Sequence, residues 1–222
     1  MLWESVPRVL LIVVVLSVPC LAIDPASAPL ASDGWKLDNR SGDIALYSRP
    51  RANSSLREFK AVGEIDAPIR SVHAVIDDFG NYTSFMPYTV ECRIVKQESG
   101  STFFYQRLSP KIVSDRDYTL RVREKSWRGE NGPVFLHRFE VANEVGPAEA
   151  KGFTRVKICE GGWLLEPLGD DKTRATYSLD TDNGGKIPAF IANPASGIGI
   201  RKLFAAVRKQ VKDPKYIASA RE

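Results

Sequence analysis

Few residues in this chain have the type and spacing for chemistry. There are two histidines, His73 and His137. They fall on different predicted elements, and neither stands at metal-ligand spacing from another His or a Cys. His73 lies in the apolar run of a predicted helix and reads as a core histidine. His137 lies in a predicted strand, with no Ser or Cys partner in a recognisable nucleophile motif. No glycine-rich phosphate loop follows a predicted strand, and Gly197-Ile198-Gly199 does not qualify as one. Aromatic residues do not interleave with basic ones as on a nucleic-acid platform. The expectation is therefore no metal, no cofactor and no nucleic acid.

Arg107 is the sharpest feature that remains. It sits within the apolar strand-like run 102–108, where an unpaired charge is costly to bury. Either it is exposed or structurally paired, or it orients an anionic head group such as a carboxylate or phosphate. Tyr105 shares its face, and Tyr105, Arg107 and His137 are the acid–base candidates should the chain be an enzyme. Arg116 and Asp117 open the next strand and read as a structural pair that satisfies turn groups or bridges to a neighbour. Cys92 and Cys159 fall on strands far apart in the expected sheet order and read as two buried thiols rather than a disulfide.

The elements that must position these residues follow from periodicity. Residues 1–22 read as an export signal. Arg8 makes the flank weakly basic, and the apolar run 9–18 is too short to span a bilayer. Cleavage after Ala22 would leave a Pro/Ala/Ser-rich flexible leader, 23–33, and send the protein to the periplasm or outside the cell; the alternative is an uncleaved N-terminal anchor. A single domain follows over 34–213, with a C-terminal tail at 214–222. Strand-like runs are predicted at 35–37, 44–49, 56–65, 90–97, 102–108, 118–125, 134–142, 152–167 and 174–180. Short turns between most of them favour antiparallel neighbours. Asp66 is the expected N-cap of a helix running to Asp78, with Pro68 in its first turn. The longest helical pattern covers 187–212. Ile200, Leu203, Phe204, Val207 and Val211 share one of its faces, while Pro194, Gly197 and Gly199 should break or kink its first half. The class is α+β. A sheet of about nine strands curls strongly, and the terminal helix is the only large element to cover its inner face.

Three segments carry a family resemblance when taken in order. They are Ser-Asp-Arg-Asp-Tyr-Thr-Leu-Arg-Val at 114–122, Gly161-Gly162-Trp163-Leu164-Leu165-Glu166-Pro167, and Gly184-Gly185-Lys186-Ile187-Pro188, followed by the amphipathic terminal segment. Over 35–212 the chain resembles the START (steroidogenic acute regulatory protein-related lipid-transfer) family. The resemblance implies a helix-grip fold, in which a strongly curved antiparallel sheet wraps a long C-terminal helix around an apolar cavity that holds one lipid. It implies a monomer that touches membranes transiently and needs no cofactor. Strand alternation then nominates ligand contacts: Phe103, Tyr105 and Arg107; Tyr118, Leu120 and Val122; Ile158; Tyr177 and Leu179. His137 joins them from its strand, and Ile191, Phe204 and Val207 from the helices. Trp163 reads as core. Gly184, Gly185 and Lys186 suggest a gate at the cavity mouth.

Sterol-binding relatives often carry a carboxylate and an arginine inside the cavity. Here those positions fall on Arg107 and Val122, which speaks against a sterol and for an anionic ligand. The net charge of +4 and the basic residues Arg201, Lys202, Arg208, Lys209 and Lys212 suit either a solvated face or docking on anionic lipid. Two other readings remain on the same fold. One is a cavity enzyme of the polyketide cyclase or aromatase type. The other is an interaction module, such as a chaperone for a hydrophobic carrier.

Overall fold

The computed structural model describes residues 33–110, 113–182, 184 and 187–218. The expected export signal, most of the leader, and Gly185 and Lys186 of the expected gate lie outside the described residues.

Three strands open the domain: β1 (Lys36–Ser41), β2 (Ile44–Pro50) and β3 (Arg57–Ile65). Two short helices follow, α1 (Ile69–Asp77) and α2 (Tyr82–Phe85). Then come β4 (Thr89–Glu98), β5 (Ser101–Leu108), β6 (Arg116–Gly129), β7 (Gly132–Val141), β8 (Thr154–Arg155), β9 (Ile158–Pro167) and β10 (Thr173–Asp182). The described chain closes with α3 (Ala189–Gln210) and α4 (Pro214–Ala218). The ten strands form one sheet in the order β1-β2-β3-β10-β9-β7-β6-β5-β4, with β8 paired to the start of β6. All pairings are antiparallel except β6 with β8.

The α+β helix-grip architecture expected from the sequence is the one observed. The tenth strand arises because the predicted run 152–167 is two strands, with Val156 and Lys157 lying between them in neither. Asp66 is not the cap of α1. Pro68 holds that position without a side-chain hydrogen bond, and Asp66 is exposed beside Lys172. α3 continues through Pro194 without the expected break. The stretch read as a tail begins with α4, whose Tyr216 is 2% exposed and donates its hydroxyl to Asp78 Oδ2 at 2.7 Å.

The core fills the concave side. Phe59, Ala61, Gly63 and Ile65 share one face of β3, and the β10 partners Leu179, Tyr177, Ala175 and Thr173 stand opposite them. α3 lies over this face, with Phe204 and Val207 fully buried. The Trp163 ring packs 5.2 Å from Phe204 and 4.7 Å from Tyr177, centroid to centroid. Gly63 lets α3 approach this closely, since a Cβ there would lie 3.0 Å from Phe204 Cε1. Farther along the sheet, Phe79 stacks on Phe104 at 4.6 Å and brings the α1–α2 segment onto β5.

Candidate functional site

Register assigns the sides of each strand. Phe104 and Gln106 of β5 pair with Leu120 and Tyr118 of β6, and Phe104 and Leu120 belong to the core. These residues therefore face the concave side together with Val122. Phe139 and Val141 of β7 pair with Val122 and Leu120 and share that side. Tyr118, Phe139, Val141, Leu179 and Leu203 pack on the core while keeping accessible surface.

One polar chain crosses this apolar lining. The Tyr118 hydroxyl donates to Gln106 Oε1 at 2.9 Å, and Gln106 Nε2 donates to Thr89 Oγ1 at 2.6 Å. Burial, and then the neighbouring Cys159, Tyr177, Cys92 and Tyr82, hold the Tyr118 hydroxyl well above its ordinary pKa. It is a neutral donor at any physiological pH. Burial likewise pushes the Cys92 and Cys159 thiols up to about 12, and neither forms a disulfide among the described residues.

A groove of about 490 Å³ opens where the first half of α3 crosses β1–β3. Leu46, Phe59 and Ile198 supply apolar wall, Arg57 and Arg201 supply positive charge, and Asp38 supplies one negative charge. Arg201 donates to Asn39 Oδ1 at 2.7 Å, but its Nη1 is buried without a partner among the described residues. A volume of this order suits one small organic ligand or part of a larger one.

Several expected ligand residues meet on the concave side: Tyr118, Leu120, Val122, His137, Tyr177, Leu179, Phe204 and Val207. Others do not join them. Phe103, Tyr105 and Arg107 lie on the convex face. There Lys96 and Arg93 cover the rings of Phe103 and Tyr105, and Arg107 packs over Phe153 at 5.0 Å and pairs with Glu91 at 3.6 Å. Both faces of β5 are apolar, so alternation alone did not choose between them. Ile158 is turned outward because the break before β9 sets its phase, and Cys159 points inward instead. Ile191 stands 42% exposed on α3. Of the expected gate, Gly184 has φ +67° and donates its N–H to Asp182 Oδ1 at 3.0 Å.

His137 lies under α1, beside His73 and Glu124. Burial, and then the charge of His73, push His137 down to about 4, against an opposing pull from Glu124. Sequence reasoning did not find Gln106 or the His73–Glu124 contact as site features, and it gave Arg201 to a basic helix face rather than to a groove wall. Each depends on tertiary register rather than local spacing.

The family model for polyketide cyclase / dehydrase and lipid transport matches residues 65–208, more than half of the chain. The chain belongs to that family. Its fold is that of START domains. A STAR-related lipid transfer protein from Xanthomonas axonopodis superposes with a TM-score of 0.72 at 25% identity, covering 82% of this chain and all of that one. Human STARD10 gives 0.72 at 18% identity, covering 83% of this chain and 76% of its own. An uncharacterised protein of Pseudomonas aeruginosa is 28% identical over 169 residues, 76% of this chain and 81% of its own. The family description spans lipid transport and cyclase chemistry, so membership alone fits a hydrophobic ligand without deciding between carrier and enzyme.

Proposed function

We propose that the protein binds one lipid or similar amphiphile between the concave sheet face and α3, and carries it between membranes. The observation that carries this reading is the lining itself. Partly buried apolar side chains from β6, β7, β10 and α3 pack on the concave side, and a groove beside α3 combines apolar wall with two arginines and one aspartate. Removing an acyl chain from water into such a space is favourable by roughly 25 cal/mol per Å². The arginines suit a carboxylate or phosphate head group, the role that sequence reasoning gave to Arg107. The similarity to a bacterial protein named as a lipid transfer protein supports the same reading.

The enzyme reading loses its nominated residues. Tyr105 and Arg107 face the convex side and His137 the concave side, so the three do not converge on one substrate. Lysines 209 and 212 are exposed on and just after α3 and would meet an anionic bilayer during transfer. Export by the N-terminal segment is part of the proposal, and N-terminal sequencing of the mature protein tests it.

Transfer is measured with fluorescent lipids between donor and acceptor vesicles. The proposal expects protein-dependent transfer that slows when Arg201 is replaced by Ala and the probe is anionic. No acceleration for any anionic, zwitterionic or sterol probe contradicts it.

A further inference from the structure

α1, β6 and β7 bring together three side chains that are far apart in sequence. His73 Nε2 lies 2.9 Å from Glu124 Oε1. His137 Nε2 lies 3.9 Å from Glu124 Oε2. The two imidazoles meet edge to face with centroids 5.0 Å apart. One ligating atom from each residue lies within 4.8 Å of the others. His137 is 2% exposed, and neither of its ring nitrogens has a hydrogen-bond partner among the described residues. Such an orphaned buried group is costly and calls for an explanation.

We propose that His73, Glu124 and His137 bind one divalent late first-row transition-metal ion of the zinc class. Two imidazoles and one carboxylate are the donor set that such ions favour, whereas magnesium and calcium require mostly oxygen. Bonds of roughly 2.0–2.2 Å in a tetrahedral site set ligand atoms about 3.4 Å apart. His73 lies 2.9 Å from Glu124 Oε1 and His137 3.9 Å from Oε2, on either side of that value, and with one ligand atom from each residue within 4.8 Å of the others the side chains would draw together around an ion. Glu124 is 38% and His73 21% exposed at the side chain, which gives an ion a route from solvent to the buried His137. Asp77 stands one turn along α1 from His73. Phe135 stacks 4.1 Å from the His73 ring and gives the site one apolar wall. An ion here would pin α1 to two neighbouring strands. With three protein ligands, it would keep a fourth position for water or a ligand oxygen.

The test uses tag-free protein stripped with a chelator and dialysed. Zn²⁺ alone is titrated by calorimetry, and Co²⁺ alone by visible absorption. The proposal expects one equivalent bound, a raised thermal midpoint, and d–d bands of a tetrahedral cobalt site. Glu124→Gln and His73→Gln, both at partly exposed positions, should each weaken binding at least tenfold while circular dichroism stays unchanged. His137→Ala is avoided as the sole variant because it hollows the core. Absence of stoichiometric uptake by the wild type overturns the proposal. So does uptake of equal affinity in the Glu124→Gln and His73→Gln proteins.

Discussion

Arg155 grips the Asp117 carboxylate with two hydrogen bonds, Nε to Oδ1 and Nη2 to Oδ2, both 2.9 Å long. Asp117 is 1% exposed and also accepts from the Tyr105 hydroxyl at 3.1 Å. The pair fastens the segment between β7 and β9 onto β6. Asn143 reinforces it by accepting the Thr119 N–H at 2.9 Å and donating to the Val156 carbonyl at 2.8 Å.

Removing one partner should therefore be costly. Arg155→Ala leaves a buried carboxylate uncompensated, and the expected loss is about 3–5 kcal/mol. Urea denaturation followed by tryptophan fluorescence measures it. A loss within experimental scatter of zero would show that the pair is not holding the segment.

The same pair sets an acid response. Burial alone would raise the Asp117 carboxyl, but the hydrogen bonds and charge of Arg155, together with the Tyr105 hydroxyl, outweigh burial and hold it below its ordinary value. A depressed folded pKa stabilises above the unfolded value, about 3.9 for aspartate. That stability disappears as pH falls through the folded value. Stability from this pair should be flat from pH 5 to 7 and fall below about pH 4. In Asp117→Asn the part of the acid slope due to this group should vanish, as pH-dependent urea midpoints would reveal.

Phe204 joins α3 to the sheet through Trp163 and the bare backbone of Gly63. Phe204→Ala should cost about 3–5 kcal/mol. Gly63→Val should cost about 1–3 kcal/mol by forcing the Phe204 ring away. If Gly63→Val left the thermal midpoint unchanged, the close approach of α3 would not be needed for the fold.

Much of this architecture was readable in the residues. The period-two pattern of 56–65 placed Phe59, Ala61, Gly63 and Ile65 on one face, and the structure puts that face under α3. The face of α3 carrying Ile200, Phe204, Val207 and Val211 is likewise the buried one. Interior-facing residues were harder to assign where both sides of a strand are apolar. On β5 the choice between Phe103/Tyr105/Arg107 and Phe104/Gln106 is made by pairing with β6 and by the α1–α2 segment. No local pattern encodes either. The β8–β9 break reversed Ile158 and Cys159 for the same reason. His73, Glu124 and His137 show no motif spacing because three separate elements bring them together.

The two thiols should be inert in the folded protein. Burial raises both far above neutral pH, so little thiolate forms. Iodoacetamide at pH 8 should leave Cys92 and Cys159 unmodified under native conditions and label both in denaturant, as read by mass spectrometry. Rapid native labelling of Cys159 would mean that the concave space opens freely to water.

The most direct test of the central claim is native mass spectrometry of protein purified without detergent, followed by solvent extraction and lipid identification. The account predicts a discrete added mass, one ligand per chain, that resolves to an amphiphile. After delipidation the protein should take up one such ligand from vesicles. A clean ligand-free mass that stays unchanged after exposure to vesicles would contradict it.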